Sequence, residues 1–290
     1  MTLRRYSKSF GLTILLCGAL GLAGCKTVSE LYRHEAAQRL AVPAHMLKRQ
    51  VEAGPFSVAV YERVRKSGEA ATIYIEGDGA VKAMGETTLT GHATPDYPLA
   101  LHLATRDLGD NVIYVARPCQ FEAQEVENGP CSTKKYSGPE RFSFETMEAM
   151  NTVLDKLKNH HGFSGFNLVG YDGGGTVAAL LAAKRKDVLS LRTVAANLDT
   201  DLNSANHQRP EMIGSLNPRD FARDIANIPQ HHFIGEWDKD ILPNLSESFR
   251  SAMGPSTCTR ISTVAEVDHK GGWANRWPSL LKEPVDCNAQ

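Results

Sequence analysis

From Phe56 onward, apolar and polar residues alternate between the period of a strand and the period of a helix. The segment Phe56–Val64 alternates residue by residue, as a half-buried strand does. Short β-branched runs closed by turn residues predict further strands, and the longest run with helical spacing predicts a helix from about Ser143 to Gly162. The other predicted strands lie within residues 70–78, 111–118, 165–171, 188–198, 228–238 and 259–269, and the other predicted helices within 174–186, 246–253 and 273–281.

This succession of strands and helices indicates the fold class. Strands that alternate with helices form a mostly parallel sheet, because each helix carries the chain back to the edge where the next strand starts. We therefore predict an α/β protein with a twisted sheet flanked by helices. Only about 30 residues separate Asp199 from Pro229, which is room for a short lid, such as residues 210–216, and not for a large cap.

The first 24 residues have the features of an export signal rather than of a folded domain. Two arginines and a lysine lie near the N-terminus, and they precede an apolar stretch that is too short to span a bilayer comfortably. The stretch ends in Leu-Ala-Gly-Cys at residues 22–25, which resembles a bacterial lipobox. We therefore predict a lipoprotein signal peptide over residues 1–24. An ordinary signal peptide or a membrane anchor with an incidental cysteine is the alternative.

A lipobox implies that Cys25 becomes the first residue of the mature chain and carries fatty acyl chains such as palmitate. Lys26, in place of Asp, resembles lipoproteins that are sorted to the outer membrane. The expected location is therefore the periplasmic face of that membrane, reached through the lipid. Residues 25–55 would be a lipidated tether, whose one helix either stands free or packs on the domain, and residues 56–290 would form the domain.

The remaining cysteines support export. Four are left once the signal peptide and Cys25 are set aside, and an even number outside the cytoplasm indicates two disulfides. Three pairings are possible. We favour Cys119 with Cys131 and Cys258 with Cys287, because each pair closes a local loop beyond a predicted strand.

Composition excludes several classes of function. Lys and Arg number 32 against 33 Asp and Glu, which gives a net charge of −1 and no sign of a nucleic-acid partner. The ten histidines show no spacing typical of a metal site. We therefore expect no nucleic acid, no metal and no organic cofactor, and a small molecule as substrate or ligand.

The chemistry is concentrated at Gly170-Tyr171-Asp172-Gly173-Gly174, between a predicted strand and a predicted Ala-rich helix. This stretch resembles the nucleophile elbow of α/β-hydrolases, Gly-x-Ser-x-Gly. Its glycines make room for a nucleophile at strained, positive φ. Over residues 56–282 the chain is similar to that superfamily, which implies the α/β-hydrolase fold. Asp172 stands where the serine belongs.

The order of the other candidate residues also resembles that superfamily, in which the acid and then the base follow the nucleophile. His269 directly follows the last predicted strand, where the family places its base. The acid loop is expected after residues 231–237, so Asp238 is our first choice, Asp240 the second, and Asp199 the third. The resemblance implies a site of Asp172, His269 and Asp238.

The same resemblance implies an oxyanion hole made of backbone N–H groups. One donor would be Gly173, and the others would come from the loop Gly77–Ala80, with Gly77, Asp78 and Gly79 as candidates. Residues 74–79, 117–120 (Arg-Pro-Cys-Gln) and 215–220 further resemble a group of bacterial envelope hydrolases whose elbow reads Tyr-Ser-Gly-Gly-Gly.

Three interpretations of Asp172 remain open on the sequence. It could be the nucleophile toward a saturated carbon, as in haloalkane dehalogenases and epoxide hydrolases, although those enzymes carry Trp where this chain has Gly173. It could pair with His269 as a general base for the hydrolysis of an ester-like substrate. Finally, it could form a buried ion pair in a catalytically inactive protein that binds a ligand without turnover. The first two interpretations make the chain a hydrolase, which is the leading expectation. The sequence does not identify the substrate.

Overall fold

The computed structural model describes residues 31–79, 93–121, 129–132, 135–136 and 138–287. The predicted signal peptide and Cys25 lie outside these residues. None of the helices within them is both long and apolar enough to cross a membrane. Disulfides join Cys119 to Cys131 and Cys258 to Cys287, which confirms the favoured pairing.

The described strands form one eight-stranded sheet in the order β1-β2-β4-β3-β5-β6-β7-β8. The first two strands pair antiparallel with their neighbours, and all the others are parallel. The predicted mostly parallel sheet is therefore confirmed. The strands are Leu47–Ala53 (β1), Phe56–Val64 (β2), Ala71–Ile75 (β3), Asn111–Val115 (β4), Phe166–Tyr171 (β5), Val188–Val194 (β6), Gln230–Gly235 (β7) and Thr259–Val264 (β8).

Helices cover both faces of the sheet. Successive residues of a strand point to opposite faces, and accordingly Ile73 belongs to one buried apolar cluster and Tyr74 to the other. The cluster of Ile73 also contains residues of α3, α4 and α6, and the cluster of Tyr74 contains residues of α1, α2 and α7. The helices are residues 31–41 (α1), Leu99–Arg106 (α2), Phe144–His161 (α3), Gly173–Lys184 (α4), Thr200–Asn206 (α5), Pro243–Met253 (α6) and Trp273–Leu280 (α7).

Local sequence explains where the longest helix begins and ends. Ser143 is the N-cap of α3, and its side chain accepts a hydrogen bond from the Thr146 N–H. Gly162 follows the last turn in the left-handed region, at φ 70°, which a residue without Cβ adopts without steric cost. The predicted span of this helix is therefore close to the observed one.

The start of the domain differs from the prediction. The tether was expected to reach residue 55, but Leu47–Ala53 pairs with Phe56–Glu62 as the edge strand β1. Ala37 and Ala41 of α1 are fully buried, so this helix packs on the domain. The boundary therefore lies before β1. The pattern hid this strand because an edge strand exposes polar residues, here Gln50 and Glu52.

The connection between β6 and β7 is short. It contains α5 and a 3₁₀ helix over Pro218–Ile225, and residues 207–217 run between them without regular structure. Such a connection is consistent with a short lid and not with a large cap.

Candidate active site

The elbow lies where β5 meets α4, at the carboxyl edge of the sheet. Asp172 has φ 50°, in the left-handed region that a residue with a side chain adopts only under strain. Two glycines make this turn possible. A Cβ on Gly174 would overlap the carbonyl oxygen of Ile75 on β3, and a Cβ on Gly170 would overlap the carbonyl oxygen of Gly174.

The two oxygens of the Asp172 carboxylate face different surroundings. Oδ2 accepts a hydrogen bond from the Asp78 N–H at 3.0 Å. The Gly173 N–H also donates to this carboxylate. Oδ1 lies 3.9 Å from Nε2 of His269. The backbone N–H pair predicted as an oxyanion hole therefore holds the carboxylate of residue 172 itself.

The base and the acid occupy the loops after β8 and β7. The Nδ1–H of His269 donates to Oδ2 of Asp238 at 3.0 Å. The other oxygen of Asp238 accepts the N–H groups of Asp240 and Ile241, each at 2.9 Å. With its side chain fully buried and both oxygens hydrogen-bonded, Asp238 holds the imidazole in one orientation.

The other two candidates for the acid make different contacts. The Asp240 carbonyl oxygen pairs with the ring of His207 at 2.8 Å, and its side chain is exposed. Asp199 caps α5 by accepting the Leu202 N–H, and it also accepts the Ser248 hydroxyl at 2.6 Å. Among the three acids proposed from the sequence, the structure thus brings Asp238 to the imidazole.

The charges of these groups are strongly coupled. Burial alone would lower the pKa of His269, but the hydrogen bond to Asp238 and the charges of Asp172 and Asp238 raise that pKa to about 9. Burial and the nearby Asp78 carboxylate raise the pKa of Asp172, against the opposing effects of His269 and the two N–H groups. As long as Asp172 carries its negative charge, His269 is therefore a cation at neutral pH.

The predicted donors of the hole differ in what they do. Asp78 and Gly173 donate to residue 172, as described above. The Gly77 N–H instead donates to Oε1 of Glu76 at 3.0 Å. The prediction that Gly77 is a donor of the oxyanion hole is therefore wrong. Gly79, at φ 76°, forms the following turn, and no hydrogen bond joins it to residue 172 among the described residues. Ala80 lies outside them.

Sequence reasoning missed the groups behind the hole. Glu76 is buried at the end of β3, and its Oε1 also accepts the Ala100 N–H at the start of α2. The Asp78 carboxylate forms ion pairs with the guanidinium groups of Arg117 and Arg141. The hints in the sequence were the stretches at residues 74–79 and 117–120, which were noted as a resemblance without a role for Glu76 or Arg117.

Asp238 has no free oxygen to offer a metal ion at this site. Within the described residues, Asp238, Asp240 and His269 each offer one atom, and these atoms lie within 4.8 Å of one another. Both oxygens of Asp238 already accept hydrogen bonds, one of them from His269. Asp238 and His269 are therefore organised as an acid and a base.

A groove of about 450 Å³ begins at Lys270, the residue after His269. Tyr97 and His102 from the region of α2 line one part, and Ala274 and Asn275 of α7 line another. Most of the lining surface is apolar, as is common for a small-molecule site.

Comparisons with known proteins agree with this architecture. Residues 128–257 match the family model of the alpha/beta hydrolase fold. No curated protein matches the chain in sequence. The esterase Pf2001 of Pyrococcus furiosus is 10% identical, with a TM-score of 0.58 over 81% of this chain and 90% of its own.

Two further solved structures are similar. Est1E from Butyrivibrio proteoclasticus is 12% identical, with a TM-score of 0.56 over 81% of this chain and 96% of its own. An alpha-beta serine hydrolase homologue from Coxiella burnetii is 13% identical, with a TM-score of 0.52 over 81% of this chain and 93% of its own. At these identities the likeness shows the fold, and the predicted α/β-hydrolase fold is confirmed.

Proposed function

We propose that this chain, which has the α/β-hydrolase fold, is a hydrolase in which Asp172 attacks a saturated carbon and His269 then hydrolyses the resulting ester. The observation that carries the proposal is that the two oxygens of Asp172 have different neighbours. The Asp78 N–H holds Oδ2, while Oδ1 faces His269 across 3.9 Å. The substrate class is an alkyl electrophile, with a halide or similar leaving group or a strained ring.

In the first half-reaction, Oδ1 of Asp172 forms a bond to the substrate carbon. The leaving group departs with the electron pair of the bond that breaks, and an alkyl ester of Asp172 remains. A carboxylate is a suitable nucleophile here because displacement at a saturated carbon gives a stable ester. Asp172 must be ionised for this step, and the cationic His269 and the two N–H groups favour that form.

In the second half-reaction, the ester is hydrolysed. Esterification removes the negative charge of Asp172, which is one of the causes that raise the pKa of His269, so this pKa falls. The imidazole then releases its proton to the solvent and becomes a base. Nε2 takes a proton from water as the water oxygen attacks Cγ of Asp172. The oxyanion that forms is stabilised by the N–H groups of Asp78 and Gly173. The alcohol leaves with a proton from His269, and the carboxylic acid of Asp172 then gives its proton to the imidazole, which restores the carboxylate and the cationic His269.

The same contacts disfavour attack on an ordinary ester. A carbonyl substrate would need the N–H pair for its own oxygen, but the carboxylate of Asp172 holds the Asp78 and Gly173 donors. An adduct of Asp172 with a carbonyl would also expel the carboxylate, whose parent acid has a pKa of about 4, before an alkoxide. The likeness to an esterase and to a serine hydrolase homologue therefore supports the broad class of hydrolase rather than ester cleavage by Asp172.

The second candidate is a protein that binds its ligand without turnover. The ion pair between His269 and Asp172 favours it, because a histidine with a pKa of about 9 is a poor base at neutral pH until that charge is removed. The groove at Lys270 would then be the binding site.

Single-turnover labelling tests the displacement route. The soluble domain, in excess over a reactive haloalkane or epoxide in ¹⁸O water, should incorporate ¹⁸O into the peptide that contains Asp172. Unlabelled peptide after confirmed product formation would rule out the ester intermediate. Asp172→Asn should lower turnover at least about 10⁴-fold, whereas the exposed control Asp224→Asn should not.

Asp172→Ser separates the two candidates further. The shorter side chain frees the N–H pair for a carbonyl oxygen and places a hydroxyl near His269, so p-nitrophenyl ester hydrolysis should appear. A folded variant that stays silent on every substrate, beside an equally silent wild type, supports ligand binding without turnover.

We also propose that the protein acts at the periplasmic face of the outer membrane, attached through acyl chains on Cys25. The two disulfides support an oxidising compartment. Cys25→Ser should move the protein from the membrane fraction to the soluble fraction. Retention of this variant in the membrane would contradict the lipid anchor.

A further inference from the structure

The residues behind the oxyanion hole form a connected support that the mechanism above does not use. Gln120 is buried, and its Nε2 donates to the Gly77 carbonyl oxygen at 2.9 Å. The Oε1 of the same side chain accepts the Arg117 N–H at 3.0 Å. One side chain thus joins the turn at residues 117–120 to the loop that supplies the Asp78 N–H.

Arg117 and Arg141 bind the side-chain carboxylate of Asp78. The guanidinium of Arg117 pairs with Oδ1 of Asp78, and Nε of Arg141 lies 2.8 Å from Oδ2. Both guanidinium groups lie over the ring of Phe142, at 4.9 and 5.1 Å from its centre. A Cβ on Gly173 would overlap the Arg117–Asp78 pair, so this pair lies directly against the second donor of the hole.

The turn that carries Arg117 and Gln120 is itself constrained. Cys119 and Phe121 have φ 69° and 55°, which residues with side chains adopt only when their surroundings impose it. The Phe121 N–H donates to Oγ1 of Thr94 at 2.9 Å, and Cys119 is joined to Cys131. A disulfide stabilises such a conformation by limiting the alternatives open to the chain.

We propose that the turn Arg117–Phe121 positions the oxyanion hole, and that the Cys119–Cys131 disulfide makes this positioning depend on the redox state. Gln120 and Arg117 are positioning residues: they act through Gly77 and Asp78 and do not touch the reacting atoms. The kinetic part of this inference rests on the proposed function. The geometric part concerns the Asp78 N–H and Asp172 whether or not turnover occurs.

The redox step needs a dithiol reductant. The reductant gives two electrons and two protons to the Cys119–Cys131 bond, which becomes two thiols, and the reductant becomes a disulfide. The turn is then free to leave its positive-φ conformation, and the Asp78 N–H loses its fixed direction. Because that N–H favours the ionised form of Asp172, its displacement raises the pKa of Asp172.

The two disulfides allow a matched experiment. Cys119→Ser with Cys131→Ser opens the disulfide beside the hole, and Cys258→Ser with Cys287→Ser opens the disulfide between the start of β8 and the C-terminal segment. The readout is the titration of the ¹³C-labelled Asp172 carboxyl group by NMR, assigned with Asp172→Asn. Thermal unfolding reports on general stability.

We expect the pKa of Asp172 to rise by about one unit in the first double variant and to stay unchanged in the second. With substrate, kcat should fall about 10-fold in the first variant with little change in KM, because a displaced hole donor weakens the transition state and not substrate binding. Treatment of the wild type with dithiothreitol should reproduce the first variant. An Asp172 titration that is the same in both double variants would overturn the inference.

Substitutions at Gln120 test the positioning without removing a disulfide. Gln120→Met keeps the length of the side chain and adds no charge but loses both hydrogen bonds, and Gln120→Ala also removes the packing. The pKa of Asp172 should rise in the order wild type, Gln120→Met, Gln120→Ala. Equal titrations in the three folded proteins would contradict the positioning role. If no substrate is turned over, the proposed function fails, but these titrations still decide the inference.

Discussion

The two sides of Asp172 are built in different ways. On the base side, His269 and Asp238 follow two neighbouring parallel strands, β8 and β7, and one hydrogen bond of 3.0 Å links them. On the hole side, Asp78 is held by Arg117 and Arg141, from separate parts of the chain. The base side thus needs only adjacent strand ends, whereas the hole side needs tertiary packing.

The two sides also differ in their use of charge. The base side carries one cation between two carboxylates, and this arrangement raises the pKa of His269 to about 9. On the hole side, burial would raise the pKa of Asp78, but two guanidinium groups lower it. The base side is therefore poised to exchange a proton, whereas the hole side keeps its charges and serves as a rigid support.

Of the two sides, the base side should show the larger effect, when it is broken with His269→Gln. Displacement by Asp172 does not need a base, so the alkyl ester should form and then accumulate because water is no longer activated. Steady-state turnover should fall by about 10³-fold or more. Intact-protein mass spectrometry should show one added alkyl group per chain.

The control for this experiment is His207→Gln, at a histidine whose ring contacts the Asp240 carbonyl oxygen and not Asp172. This variant should turn over substrate without an added mass. If His269→Gln accumulates no adduct while the wild type is active, the hydrolysis does not pass through a covalent ester.

A smaller effect should come from the hole side with Glu76→Gln. Burial raises the pKa of Glu76 to about 7 in the folded protein, although backbone N–H groups oppose the shift, against 4.5 for the free group. A carboxyl group whose pKa is raised by folding stabilises the fold below pH 4.5, and this stability is lost as the pH rises through 7. The loss is on the order of 3 kcal/mol.

Glutamine removes this titration while its oxygen can still accept the Gly77 and Ala100 N–H groups. The free energy of unfolding of Glu76→Gln relative to wild type should therefore increase between pH 5 and pH 8, and activity should change less than about threefold. Denaturant unfolding at the two pH values measures it, with the exposed Glu211→Gln as control. A difference independent of pH would show that Glu76 is not a buried titrating group.

Several elements were predictable because their signals are local. Phe56–Val64 was read from its alternation, and the helix from Ser143 to Gly162 from its spacing and its caps. The edge strand Leu47–Ala53 and the helix Leu99–Arg106 were missed. The strand lies at the edge of the sheet and carries mostly polar residues, and the helix has too few residues for a clear periodic pattern.

At the site, the sequence located Asp172, His269 and the donors Asp78 and Gly173, because strand ends and glycines mark them. It ranked Asp238 before Asp240, which agrees with the observed hydrogen bond to the imidazole, but it did not show that the Gly77 N–H turns toward Glu76. The choice between Asp238 and Asp240 depends on side-chain direction, because the two residues lie in one loop.

The sequence by itself determined the succession of strands and helices, the strained turn at Asp172 and the residue types that meet at the edge of the sheet, since these follow from periodicity and from glycine. Only the tertiary structure decided that the carboxylate lies between the hole and the imidazole, and that Arg117 and Gln120 support the hole. Such contacts join residues far apart in the chain, and their directions depend on packing that no local pattern records.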